Sequence, residues 1–294
     1  MAFLDNLVNR KIPPDDAAVS TGVATLHLSG EFTDLERRLI GIFRDQYPSL
    51  SVLEDTAFEA LVEKAVDLIE NQNVIQDVSQ FVQEYLAPAI ATADERAAAY
   101  RYAYALAMAN LNVDPGEQQL LDGMKSVFAL SSATVASAEA QILAEFAPLH
   151  KALAAIVVGF IVVTADGQIF EEELTAMHDA RTLLEPIARL DDNQFTLVYD
   201  LGLSIYNRFL TDPDNRSAFL YNVVVKQLNT RDLRVQAFHY AASVATADGD
   251  LAKTEVDTLK DILHALQLSD AAGEAIFKQY MDRVKTIDGK PVEQ

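Results

Sequence analysis

The chain has 294 residues, about twice the usual single-domain size, and half of them are apolar, so two hydrophobic cores are expected. Its 11 Gly and 9 Pro argue against a turn-rich β protein and against disorder, and the absence of Cys excludes disulfides, thiolate zinc sites and cysteine nucleophiles. With 44 Asp and Glu against 23 Lys and Arg, the net charge of −21 repels phosphate backbones; no nucleic-acid partner is expected, whereas cations and basic protein surfaces are.

Residues 1–14 form an N-terminal amphipathic segment in which Phe3, Leu4, Leu7 and Val8 share a helical face ahead of Pro13-Pro14. The segment either packs on the protein's own core or makes a weak peripheral membrane contact through residues 1–11, with only Arg10 and Lys11 to meet anionic lipid. Its charge follows its apolar residues, so it is not a signal peptide, and a cytoplasmic location, at most peripheral to a membrane, is expected. A first domain follows over 15–147. It contains the loop Ser29-Gly-Glu-Phe-Thr-Asp-Leu-Glu36, the Ala-rich helix 97–109, the loop Asn110-Leu-Asn-Val-Asp-Pro-Gly-Glu117 and a helical stripe at Leu120, Leu121, Met124, Val127 and Phe128. The Ser/Ala-rich helix 133–146 leads to Pro148, the seam before a second domain over 148–286. There the twelve residues Ala152 to Val163 are almost wholly apolar, too short for a bilayer, which needs about 20, and suited to a helix buried on every side. The loop Asp166-Gly-Gln-Ile-Phe-Glu-Glu-Glu173, the helix 235–247, the loop Asp248-Gly-Asp-Leu-Ala-Lys-Thr-Glu255 and a stripe at Val256, Leu259, Ile262, Leu263 and Leu266 complete it, and 287–294 read as a tail. Prolines at 48, 88, 115, 148, 186 and 213 punctuate the chain as loops between helices, and no two-residue alternation is sustained. The fold class is all-α.

The informative feature is a repeat. The loops at 166 and 248 share Asp-Gly, an apolar residue three after the Asp and Glu seven after it, and each follows an apolar segment ending in Thr-Ala. The loops at 29 and 110 keep the apolar residue and the final Glu. Loops 29 and 110 lie 81 residues apart and loops 166 and 248 lie 82 apart, while the steps from 29 to 166 and from 110 to 248 are 137 and 138. That arithmetic describes a duplicated two-loop domain.

An apolar helix, Ala-Asp-Gly, a Glu opening an amphipathic helix and the exits Phe-Ala-Leu-Ser at 128–131 and Leu-Gln-Leu-Ser at 266–269 resemble the TerB-like family associated with tellurite resistance. The N-terminal regions of some membrane-anchored DnaJ-type co-chaperones are similar. The resemblance covers the chain as two tandem copies, the first degenerate because Ser29 and Asn110 replace the aspartates. It implies an all-helical domain of two related halves, each with an acidic loop, and roles in divalent-metal binding, stress response and membrane-associated assemblies. Carried over by position, Asp166, Glu173, Asp248 and Glu255 are the candidate metal ligands.

Two local explanations compete with that role. Gly after a short polar residue is an ordinary helix exit, and Glu at the third helical position belongs to a capping box in Asp114-Pro-Gly-Glu117 and Thr33-Asp-Leu-Glu36. Phe170 and Ala252 stand at the capping position in the other two loops and cannot accept a hydrogen bond. The aspartate is thus kept where the box is absent, which suggests that Asp and Glu act together on a cation or a basic group. Oxygen ligands alone favour Ca²⁺ or Mg²⁺ over Zn²⁺. His27, His150, His178, His239 and His264 do not cluster, and no hydrolase, zincin, P-loop or dinucleotide motif is present. The expected function is a non-enzymatic, stress-related interaction or adaptor protein that meets a protein partner, basic by charge complementarity. A metal-dependent hydrolase using the carboxylates of the second domain and a metal-free helical scaffold are the alternatives.

Overall fold

Several prolines that punctuate the sequence start helices instead of separating them: Pro14, Pro115 and Pro213 are first helical residues, and Pro148 is a second one. A first-turn N–H has no partner inside its helix, so proline loses nothing there and its fixed φ suits the helix. The fold is taken from a computed structural model that describes residues 12–28, 30, 32–71, 77–165, 171–287 and 290–291. The N-terminal segment 1–11 lies outside the described residues, as do Ser29 and the loop from Asp166 to Phe170.

The chain is all-α and divides into two units, Met1–Phe146 and Ala147–Gln294. In the first unit, α1 (Pro14–His27) is the central element, with every residue from Asp16 to Leu26 buried. Around it run α2 (Asp34–Phe43), α3 (Asp55–Val66), α4 (78–89), α5 (Ala93–Ala107), α6 (Pro115–Val127) and α7 (Ser132–Glu145), with α3 and α5 packed most extensively on α1. In the second unit the centre is α8 (Ala147–Val163), whose residues Ala152 to Val163 are all buried, as their unbroken apolarity requires. Among the described residues no single helix is long and apolar enough to cross a membrane. Against α8 pack α10 (Asp192–Ile205) and α12 (Arg231–Ala245), joined by α9 (Glu171–Asp179), α11 (213–227), α13 (Lys253–Ala265) and α14 (Asp270–Phe277).

Each unit repeats the same local solutions. Helices α9, α10, α12, α13 and α14 begin 137 or 138 positions after α2, α3, α5, α6 and α7. A π-wound turn follows α3 at Asp67–Asn71 and α10 at Tyr206–Leu210, and another lies within α4 at Phe81–Leu86 and within α11 at Leu220–Val224. The Leu-x-Leu-Ser exit has a physical basis. Ala129 and Gln267 take left-handed φ of 52° and 58°, which turns the next amide back onto the helix: Leu130 N–H donates to Lys125 O at 3.0 Å and Leu268 N–H to Leu263 O at 3.1 Å. Ser131 and Ser269 then cap α7 and α14 by accepting Thr134 N–H and Ala272 N–H.

The central helices are held by one recurring arrangement. Gly22 on α1 faces Tyr102 of α5, and Gly159 on α8 faces Tyr240 of α12; a Cβ on either glycine would lie 2.8 Å from a tyrosine ring carbon. Each tyrosine is fully buried, which pushes its phenol pKa up, and each hydroxyl reaches a backbone oxygen: Tyr102 that of Ile40 at 3.4 Å, Tyr240 that of Met177 at 3.3 Å. The Thr-Ala segment ends are satisfied locally, with half-buried Thr164 and buried Thr246 donating to the carbonyls of Phe160 and Ala242.

One element departs from the expected absence of strands. Asp250–Leu251 (β1), Thr286–Ile287 (β2) and Lys290–Pro291 (β3) form a minimal sheet, β1 parallel to β2 and β2 antiparallel to β3. Strands of two residues have no period to read, and the segment from 287 that reads as a tail contributes to two of them.

Candidate functional site

Of the four predicted ligands, Asp166 lies outside the described residues, Glu173 is buried in the first turn of α9, Asp248 is exposed and Glu255 is buried in the first turn of α13. Among the described residues no three His, Asp or Glu side chains gather in a group able to hold a metal ion, so Glu173, Asp248 and Glu255 do not converge on one centre.

Glu255 has a definite local task. Its carboxylate accepts the Ala252 N–H at 2.7 Å, and Glu117 accepts the Asp114 N–H at 2.8 Å at the matching place in the first unit. Glutamate at the third position thus serves the capping residue's amide whether or not that residue has an accepting side chain of its own. The contrast between loops with and without a capping aspartate therefore says little about Glu255. Glu255→Ala should strand a half-buried amide and lower unfolding stability by about 1–2 kcal/mol, while Glu255→Gln, which keeps an acceptor, should cost less. Denaturant unfolding of both variants measures this.

The loop at 248 is built around Gly249, at φ +85°. Asp248 accepts the Asp250 N–H at 3.0 Å, and Asp250 accepts the Thr286 hydroxyl at 2.5 Å. The Gly249 carbonyl takes two amides, from Lys285 at 2.7 Å and Thr286 at 3.1 Å. A Cβ on Gly249 would stand 3.3 Å from Arg283 O and 3.6 Å from Lys285 Cδ, a tight fit added to a φ that favours glycine. At the matching place in the first unit Leu111 takes φ 67° and is buried.

A second surface is built on α13's apolar stripe. Val256, Leu259 and Leu263 of α13, Phe238 of α12 and Phe277 of α14 line a groove of about 320 Å³, with Lys260, His264, Asp270 and Glu274 also bordering it. Gly273 lets α14 close on Leu263, because a Cβ there would meet a leucine methyl at 2.6 Å. The first unit uses the matching positions differently. Tyr100 donates its hydroxyl to Glu139 at 2.6 Å, and Lys125 lies 3.7 Å from Glu139 and 5.6 Å from the centre of the Tyr100 ring. Burial and the neighbouring Glu139 push the Tyr100 phenol pKa up, which keeps it a donor. Phe238, Leu263 and Phe277 thus stand where Tyr100, Lys125 and Glu139 bond one another. The helical stripe marks Val256, Leu259 and Leu263 as apolar, but only a comparison of the two copies at a spacing of 138 would have singled out this groove.

Residues 152–278 match the model of the family described as tellurite resistance protein TerB. No curated protein and no solved structure matches the chain. The matched span runs from within α8 to the end of α14 and contains the 248 loop and the whole groove. The second unit therefore carries a TerB-like domain over that span.

Proposed function

We propose that the chain is a non-enzymatic, stress-related adaptor made of two TerB-like modules, the first degenerate, whose second module receives a helix of a partner protein in the groove between α13 and α14. The observation that carries this reading is the apolar groove itself. Three of its residues are apolar where their counterparts in the first unit satisfy one another with a hydrogen bond and an ion pair. The occupant that fits is an amphipathic helix offering one or two bulky apolar anchors, with Lys or Arg beside them to meet Asp270 and Glu274 on a chain of net charge −21. The matched glycine–tyrosine arrangements of the two units support the tandem reading.

A fluorescent lysine-flanked amphipathic helical peptide with leucine anchors tests it. The wild type should bind the peptide, and Val256→Glu, at the half-buried edge of the groove, should weaken binding about tenfold or more. Equal binding by wild type and variant would overturn the groove. The partner reading needs no bound ion, so the melting temperature should be indifferent to millimolar Ca²⁺ or Mg²⁺. A rise that Asp166→Asn with Asp248→Asn abolishes would instead establish a cation at the acidic loops, by mass action on the folded state.

A further inference from the structure

We infer that the β1 edge of the second unit is a strand-addition site for an extended basic segment of a partner protein, and that the chain's own strap, described at 283–287 and 290–291, occupies it in cis. This extends partner binding to a second surface and can be tested without the groove.

The strap meets the loop over a short stretch of backbone. It pairs with the loop through two amides on one carbonyl, one side-chain hydrogen bond from Thr286 to Asp250 and the two-residue register Asp250 to Thr286 and Leu251 to Ile287. Among its described residues only Val284 is buried, while Lys285, Ile287 and Lys290 are exposed. Short paired strands of this kind are marginal by themselves. On the receiving side Gly249, at φ +85°, brings the loop backbone close to Arg283 O without a Cβ, where the first unit has the buried Leu111.

The chemistry of what fits is written in the strap. Its sequence, Arg283-Val-Lys-Thr-Ile-Asp-Gly-Lys-Pro291, carries three basic residues against one acidic one and crosses a loop bearing Asp248 and Asp250. Arg283 is tethered by Ser243 at 3.2 Å and lies over the Tyr280 ring, so it anchors the point where the strap leaves the body. A partner strand that is extended, basic and carries a hydroxyl beside Asp250 would repeat these contacts, with backbone pairing giving affinity and the side chains giving selectivity.

The full chain carrying Lys285→Glu with Thr286→Pro tests this, because it removes the Thr286 amide and hydroxyl and reverses one charge without touching Gly249. Hydrogen exchange over 284–291 should accelerate while the melting temperature stays near that of the wild type. A labelled peptide of residues 283–291 should bind this variant and bind the wild type at least about tenfold more weakly, since the tethered strap competes at high effective concentration. Adding Gly249→Leu to the variant should abolish binding, as should replacing both peptide lysines by glutamate. If the peptide fails to bind the strap-released chain, or binds wild type, variant and the Gly249→Leu form alike, the strand-addition site is refuted.

Discussion

Tyr240→Ala is expected to cost the protein about 3–5 kcal/mol of stability, the range for deleting a fully buried aromatic ring, and Tyr102→Ala a similar amount. Each ring fills the notch left by a helix glycine at the centre of its unit, so its loss opens a cavity against α8 or α1 that the flanking helices cannot collapse to fill. Tyr240→Phe keeps the ring and loses only the hydroxyl's bond to Met177 O, at about 1 kcal/mol. Gly159→Ala should also destabilise, although alanine favours a helix over glycine by about 1 kcal/mol. Its Cβ would lie 2.8 Å from both the Tyr240 ring and the Met177 terminal methyl. The methionine end can move, the fully buried ring cannot, and overpacking of this kind costs about 1–3 kcal/mol. Chemical denaturation of the four variants gives the order Tyr240→Ala and Tyr102→Ala as least stable, then the two milder substitutions, then wild type. Stabilisation by Gly159→Ala would mean that the ring yields and that the notch is not a constraint.

These glycine–tyrosine pairs show where sequence reading stops. The all-α class follows from helical periodicity and the lack of alternation, and the buried α8 follows from twelve consecutive apolar residues. Tyr102 and Tyr240 sit inside Ala-rich helices whose hydrophobic stripe is nearly all-round, so periodicity does not point to them. Their partners Gly22 and Gly159 are far away in sequence, and a contact of that separation is visible only as a coincidence between copies. Glu255 shows the opposite difficulty. Its place in the repeat is legible, but a spacing to the preceding Asp-Gly that recurs within the chain fits a backbone cap as well as a ligand, and the 2.7 Å bond to Ala252 is what distinguishes a working cap. The strap was unreadable for a third reason: β2 and β3 have two residues each, and what places them is the φ of Gly249 together with a carbonyl that accepts two amides.

Converting the groove of the second unit into the first unit's polar cluster should remove binding of the helical peptide while leaving the fold intact. The triple substitution Phe238→Tyr, Leu263→Lys and Phe277→Glu installs the residues found at 100, 125 and 139. The three must be changed together. Leu263 is 5% exposed, and a lone ammonium there would be desolvated with no opposite charge from the substituted set, so Leu263→Lys alone should lower stability by several kcal/mol. With glutamate at 277 and a tyrosine ring at 238, the ammonium regains the ion pair and ring contact that Lys125 makes with Glu139 and Tyr100. The triple variant should therefore be more stable than the single one, a non-additivity that independent sites would not show. Binding responds differently, because an apolar anchor entering the groove would have to strip water from a charged pair. The expected loss is about 2 kcal/mol or more, roughly thirtyfold in affinity. Binding that survives in a well-folded triple variant would place the partner elsewhere on the module. A triple variant no more stable than Leu263→Lys would show that the two copies have diverged in backbone as well as in side chains at this site.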